Sequence, residues 1–400
     1  MGIRPSQKAE RFGESVIREM TRRFLARGDR PGVNLAQGFP DFPTPAGLKD
    51  AACRAIQAEF NQYAVTWGAP SLRRAIADKT ERHYGVRPDT DTEITVTCGA
   101  TEAMIASLLA LVDPGDEVIV FEPFYENYGP DTILAGATPR FVRLHPPHWR
   151  FDEAELAAAF SDRTRAIVVN TPNNPTGTVF TQTELAAIAA LCQRWDVVAI
   201  TDEIYEHLVY DDARHVRLAD LPGMQERTVT ISGLSKTYSA TGWRIGWIVA
   251  PPRATHAIRK VHDFLTVGAA APLQEGAAFA LGFPDTYYAE LATAYRHKRD
   301  TLTATLNGIG LPVFAAPGAY YLMADARTWR TALSLPDDRA LATWLVDDAG
   351  IAIVPGSSFF RDPADGRDLI RFCYCKRPET LALADTLLRS AAARTGILGT

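Results

Sequence analysis

The chain has 400 residues, 46% hydrophobic and 22% charged, which is the balance of a soluble globular protein large enough for two domains or one domain with a satellite. A formal net charge of −5 gives no reason to expect nucleic acid or an anionic membrane as partner, though local arginines can still capture small anions. Cys53, Cys98, Cys192, Cys373 and Cys375 show no Cys-x-x-Cys spacing, so a reduced, cytoplasmic setting fits better than a disulfide framework, and the eight scattered histidines suggest no metal site.

The charged start of the chain lacks the apolar core of a signal peptide, and the longest apolar run, 103–112, is about half a membrane span. Val16, Ile17, Met20 and Phe24 recur at helical spacing and predict a helix over 8–27 with a basic outer face. The stretch 34–45 reads as an extended, Pro-punctuated loop in which Gly38 lets the backbone approach a ligand, although composition alone also allows a plain linker. Helices are predicted at 48–60 and 71–84, with Tyr63 exposed on the polar loop 61–68 between them. From 93 to 250 strands at 93–97, 116–121, 138–144, 166–170, 197–201, 228–232 and 245–250 alternate with helices at 101–112, 152–160 and 181–195. Short, β-branched, nearly all-apolar strands between helices predict an α/β fold whose mostly parallel sheet is covered on both faces. After Pro251 the pattern changes to helices at about 253, 285–306, 338–349 and 378–392, with short strands at 313–315, 319–325, 351–354 and 369–374. This is the signature of a smaller α+β lobe into which the N-terminal segment folds back. The expected division is 46–283 for the large domain and 1–45 with 284–400 for the small one.

In open α/β sheets ligands sit beyond the carboxyl ends of the strands. Five of the predicted strands end in groups able to hold one. Cys98-Gly99-Ala100-Thr101 opens a helix whose free amides suit a phosphate. Tyr125 offers an aromatic face, Asn174 follows 166–170, and Asp202 and Tyr205 follow 197–201. The fifth group is Lys236, one of only seven lysines, set among the hydroxyls of Ser232 and Ser235 with Arg244 eight positions on. A lysine condenses with an aldehyde best when desolvated and near another cation, and hydroxyls with an arginine suit a phosphate. An aldehyde with a phosphate is pyridoxal 5′-phosphate. On that reading Asp202 keeps the pyridine nitrogen protonated, Asn174 and Tyr205 donate to the ring phenolate, and Tyr125 stacks on the ring. Each has a plainer reading alone: Asp202 as a helix cap, Asn174 as a turn residue, Tyr125 as core, Lys236 as a surface lysine. Cys373 and Cys375 fall on one face of a strand, where packing is the expected role.

Five motifs stand in order along the chain: Asn-Leu-Ala-Gln-Gly-Phe-Pro-Asp-Phe-Pro at 34–43, Asn-Asn-Pro-Thr-Gly at 173–177, Asp-Glu-Ile-Tyr at 202–205, Ser-Lys-Thr-Tyr-Ser-Ala-Thr-Gly-Trp-Arg-Ile-Gly-Trp at 235–247 and Ile-Arg-Phe-Cys-Tyr at 370–374. With them the chain resembles the class I aminotransferases, pyridoxal-phosphate enzymes of fold type I. Within these it is most similar to the kynurenine/glutamine transaminase, cysteine-conjugate β-lyase and methionine aminotransferase group. The resemblance implies ping-pong transfer of an amino group from an L-amino acid to a 2-oxo acid, with Lys236 as the Schiff-base lysine that moves the α-proton. It implies Asp202 as pyridinium partner, Asn174 and Tyr205 as phenolate donors, Tyr125 as the stacking ring, and Ala100, Thr101 and Arg244 as the phosphate cup. It further implies Arg371 as the clamp on the substrate carboxylate, Gly38 as a backbone contact to substrate, and a homodimer in which Tyr63 reaches the neighbour's phosphate. One departure stands out: Gly233 occupies the place, three residues before the lysine, where relatives commonly carry a phosphate-binding serine. Ser232 or Ser235 would have to compensate. The alternative activity this leaves is β- or γ-elimination or replacement on the same cofactor, with no acceptor needed.

Overall fold

The computed structural model describes residues 3–397. Its strands are β1 (Val33–Asn34), β2 (Ile94–Thr97), β3 (Glu117–Glu122), β4 (Thr138–Arg143), β5 (Thr164–Asn170), β6 (Val198–Asp202), β7 (Thr228–Gly233), β8 (Gly246–Val249), β9 (Tyr321–Asp325), β10 (Ile351–Ala352), β11 (Val354–Pro355) and β12 (Leu369–Cys373). The apolar strands of the middle of the chain form one seven-stranded sheet in the order β2-β8-β7-β6-β5-β3-β4. Every pair from β7 to β4 is parallel, while β8 runs antiparallel to both of its neighbours. Helices flank it because the intervening segments carry helix signals: Pro70 opens Pro70–Tyr84 and Gly85 closes it in the left-handed region, while Thr181 and Glu184 form a capping box on Gln182–Trp195. The inner strands are buried almost throughout, as a sheet covered on both faces requires, while the edge strand β4 buries only Val142.

The smaller lobe holds the antiparallel sheet β11-β12-β9. The N-terminal segment does fold back: β1 pairs in parallel with β10, Val33 opposite Ile351, and the Cys373 amide donates to Leu35 O. The outermost residues of the expected small domain, 1–2 and 398–400, lie outside those described.

Several element boundaries differ from expectation, each for a local reason. The predicted strand 313–315 is a single bridge, Val313 to Ala324, because Pro312 and Pro317 flank it and withhold ladder donors. The predicted strand 351–354 splits into β10 and β11, the chain changing sheets at Ile353. The helix expected over 8–27 is Val16–Leu25, preceded by a 3₁₀ turn at Ala9–Arg11. That expected over 338–349 ends at Trp344 and closes in a π turn, Leu345–Ala349. Helices at Tyr128–Leu134 and Ala271–Leu281 were not expected; each carries a proline in its first turn, where proline is tolerated.

Behind β6 and β7 lies a buried ion pair. Lys79 Nζ is 2.7 Å from Glu206 Oε1, with the two side chains only 4% and 5% exposed, and Ser232 Oγ donates to the same carboxylate at 2.7 Å. Burial works against both charges, but Lys79 and His207 hold the Glu206 carboxyl well below its ordinary pKa. Removing one partner strands the other in low dielectric. We therefore expect Lys79→Ala to cost about 3–5 kcal/mol in denaturant unfolding. The stabilisation from Glu206 is complete above the ordinary glutamate pKa and is lost as the pH falls through its depressed folded value.

Candidate active site

The parallel strands end on one rim. Because β8 is antiparallel to β7, β2 points the same way as β7, and β8 itself begins at that rim. Its antiparallel direction brings Arg244, two residues before it, to the same place as the residues that follow β2, β3, β5, β6 and β7. One pocket collects Ala100, Thr101, Tyr125, Asn174, Asp202, Tyr205, Ser235, Lys236 and Arg244, and encloses about 680 Å³ including its open mouth.

The side chain of Lys236 is partly open to this pocket, and its Nζ donates to Gly38 O at 3.1 Å. Burial pushes its pKa down to about 8, with Arg244 and Arg371 adding to the effect and Cys375 and Asp202 opposing it. Asp202 is buried, and its carboxyl pKa is raised by burial although Tyr128 Oη donates to Oδ2 at 2.8 Å. Asn170 ties the loop together, donating to Asp202 O at 2.9 Å and accepting from the Asn174 amide at 2.7 Å. Tyr205 Oη meets Tyr321 Oη at 3.0 Å. Arg371 does not line the pocket but stands directly behind it. Its Nη1 donates to Asn174 Oδ1 at 2.9 Å, its Nη2 to Ala36 O at 2.6 Å, and its guanidinium lies 4.3 Å from the Tyr321 ring centroid.

Gly99 turns the chain at φ 82°, and a Cβ there would fall 2.2 Å from Arg244 Nη2. The following helix, Gly99–Leu111, presents its first-turn amides beside that guanidinium, and Arg244 Nη2 reaches Thr101 Oγ1 at 3.4 Å. Gly38 lines the adjoining mouth with Ile17, Phe39, Ile105 and Leu265.

Two expected cofactor-binding side chains are not brought to the pocket. The Ser232 hydroxyl is turned to Glu206 on the buried side of β7, because alternate residues of a strand face opposite ways, so it cannot compensate for Gly233. Ser235 does line the pocket. Tyr63 is 89% exposed and does not line it. Gly233 itself has a packing reason: a Cβ would come within 3.0 Å of Ile245 O and 3.1 Å of Ile204 Cδ1. Tyr128, Asn170 and Tyr321 were missed. Their only sequence signals were the aromatic pair at 125 and 128 and the polar end of an apolar strand.

The residues present fit pyridoxal phosphate. A buried carboxylate lacks a close cation, which a pyridinium N–H would supply; Arg371 Nε is buried without a partner; and the Gly99 turn leaves a cradle that a Cβ would fill. A lysine amine, a buried aspartate and an anion-holding helix start at the rim of a mostly parallel sheet define a pyridoxal-phosphate enzyme of fold type I. A family model described as aminotransferase class I and II matches residues 30–387, and the chain belongs to that family. It is a pyridoxal-phosphate-dependent aminotransferase, acting on amino acids and 2-oxo acids.

It is 40% identical to methionine aminotransferase of Escherichia coli over 96% of this chain and 98% of that one. It is 38% identical to human kynurenine–oxoglutarate transaminase 1, over 89% and 92%. The solved N-succinyldiaminopimelate aminotransferase of Mycobacterium tuberculosis superposes with a TM-score of 0.92 at 40% identity, over 98% of this chain and 100% of that one. These relatives are named as aminotransferases, and none favours the elimination or replacement reading.

Because burial pulls Lys236 to about 8, its neutral amine accumulates as the pH rises through that value. The cofactor-free protein should therefore react with pyridoxal at a rate that climbs to half its plateau near pH 8, followed by absorbance.

Proposed function

We propose that Lys236 is the residue that carries the chemistry, taking the proton from the α-carbon of the amino acid on Nζ and returning it to the cofactor carbon on the far side of the amine nitrogen. The observation that supports this most strongly is that a lysine amine with a lowered pKa shares one pocket with Asp202, Asn174, Tyr205 and Arg244. Pyridoxal phosphate, when bound, supplies the electron-accepting ring that makes loss of the α-proton feasible. Asp202 holds a proton on the ring nitrogen, and Asn174 and Tyr205 donate to the ring oxygen. Ala100, Thr101, Ser235 and Arg244 hold the phosphate with the amides that follow Gly99, and Tyr125 covers one face. Arg371 takes the substrate carboxylate with Asn174, and the Gly38 carbonyl accepts from the free Lys236 amine. Fixing the carboxylate sets which bond of the α-carbon faces the ring, and hence selects proton loss.

The donor in this reading is an L-amino acid with a neutral, apolar or aromatic side chain. Ile17, Phe39, Ile105 and Leu265 at the mouth support it, as do the methionine and kynurenine activities named for relatives. A donor screen in single half-reactions, read from the cofactor spectrum, tests it: methionine or an aromatic donor should lead, and a lead by aspartate would overturn it. Arg371→Lys exchanges a planar fork for a point charge, so kcat/KM for the best donor should fall about 100-fold. Lys236→Ala should abolish turnover and the capture of cofactor by borohydride together.

We further read the protein as a cytoplasmic homodimer of amino acid metabolism, with 46–283 as its cofactor-holding part and 1–45 with 284–400 as the smaller one. Among the described residues no helix is long and apolar enough to cross a membrane. Phe264 is 92% exposed and Tyr63 89%, and Val65, Leu265 and Val267 are exposed too. Gly268 packs on Thr66, which joins the two segments into one apolar strip. Thr101 and Arg244 are also open to solvent, so the phosphate side of the pocket is one a second copy would close. Phe264→Glu should give monomers by light scattering and weaken pyridoxal phosphate binding; a dimer unchanged by it would remove this face from the interface.

A further inference from the structure

One buried histidine outside the pocket has both ring nitrogens committed. His262, on the helix Pro252–Thr266, is fully buried. Its Nδ1 lies 2.5 Å from Glu102 Oε1, and its Nε2 lies 2.7 Å from the carbonyl oxygen of Thr66. A carbonyl can only accept, so Nε2 carries a hydrogen. Glu102 already accepts from Thr266 Oγ1 at 2.8 Å on Oε1 and from the Cys98 amide on Oε2, which is the pattern of an ionised carboxylate. Nδ1 therefore donates as well. The ring is an imidazolium.

Its position matters for two reasons. Glu102 sits in the first turn of Gly99–Leu111, one residue past the amides and hydroxyl of the phosphate-binding turn. A bare carboxylate there would repel a phosphate. Thr66 is three residues from Tyr63, on the loop that the dimer reading gives to the partner's site.

We infer that His262 is a positioning residue for the cofactor phosphate: its imidazolium cancels the Glu102 charge beneath the phosphate-binding turn and latches, through Thr66, the loop that carries Tyr63. This rests on the reading of 99–101 and Arg244 as the phosphate site. The groups facing the ring are Glu102 from the neighbouring helix and Asp263 on its own, with the Cys98 thiol and Arg244 beyond Glu102. Burial opposes the charge on His262, but Glu102 and Thr66 outweigh it and hold its pKa above the ordinary value. The sign follows. Below that raised pKa the pair is neutral overall; as the pH rises through it the imidazole loses its proton, Glu102 is left uncompensated, and affinity for phosphate falls.

The test uses cofactor-free protein and equilibrium dialysis of pyridoxamine phosphate, which makes no covalent bond to the chain, against pyridoxamine without the phosphate. The preference for the phosphorylated compound cancels effects that act on both ligands alike, and a Lys236→Ala background removes the charge that the lysine loses near pH 8. As the pH is raised through the His262 pKa the unmutated protein should lose about 10-fold of that preference, the scale of one unit charge acting over roughly 10 Å at an effective dielectric near 20. His262→Gln should show the low preference at every pH, and His262→Gln with Glu102→Gln should regain most of it. In the unmutated protein the protection factors of the amides of 61–68, with the intrinsic rise of exchange with pH divided out, should fall over the same rise in pH. A flat profile in the unmutated protein, or a double variant no better than the single one, would overturn the inference and leave His262 as packing alone. Arg244→Gln separates the two layers. If it abolishes the preference while His262→Gln leaves it intact, only the histidine's role fails; if it keeps the preference, the phosphate site itself is misassigned.

Discussion

Holding an amine and a carboxylate out of water within one pocket, without letting them satisfy each other, is the constraint on which the rest of the structure turns. Burial alone pushes Lys236 toward its neutral form and raises Asp202 toward its protonated one. The protein resolves this by giving each group a different weak partner. Lys236 is met by a backbone carbonyl at Gly38 and Asp202 by the Tyr128 hydroxyl, so neither is committed to an ion pair. Both stay responsive to what enters the pocket. A direct salt bridge in the same place would be more stable and chemically inert.

That arrangement needs a rigid rim, and the sheet supplies it through one reversed strand. β8 runs against its neighbours, so the polypeptide enters the sheet at the rim where the other strands leave it. Gly246, its first residue, packs so closely on the turn after β2 that a Cβ would lie 2.5 Å from Gly99 C. The backbone contact places Arg244 beside the first turn of Gly99–Leu111 without any side chain having to find its way there. The approach of β7 and β8 is close at Gly233 too, where a Cβ would need Ile245 O and Ile204 Cδ1 to give by a few tenths of an ångström.

Much of this was legible in the amino-acid order because the chemistry sits where strands stop. Short apolar runs mark the strands, and the polar residue that follows each is visible: Asp202, Asn174 and Lys236 each have a plainer reading alone and stand out by falling together at strand ends. What could not be read were contacts that depend on which way a side chain turns. Ser232 looked as suitable as Ser235, but the alternation along β7 sends it to Glu206. Tyr128 was hidden by the neighbouring glycine and proline, which mask a helix that starts with them. His262 and Glu102 lie 160 positions apart, and no local pattern announces that they meet. The broken strand at Ile353 was illegible for a related reason, since the change of sheet is decided by β1 and β12 arriving from opposite ends of the chain.

That last junction ties the pocket to distant parts of the chain. The segment ending in Gly38 is set in place by β10 and by the Cys373 amide, more than 300 positions further along. The carbonyl that meets Lys236 Nζ therefore depends on contacts of very high sequence separation, within a single apolar cluster that joins side chains of the central sheet to those of the smaller lobe. Loop closure over such spans is entropically costly, so this ceiling is a late-forming part of the pocket.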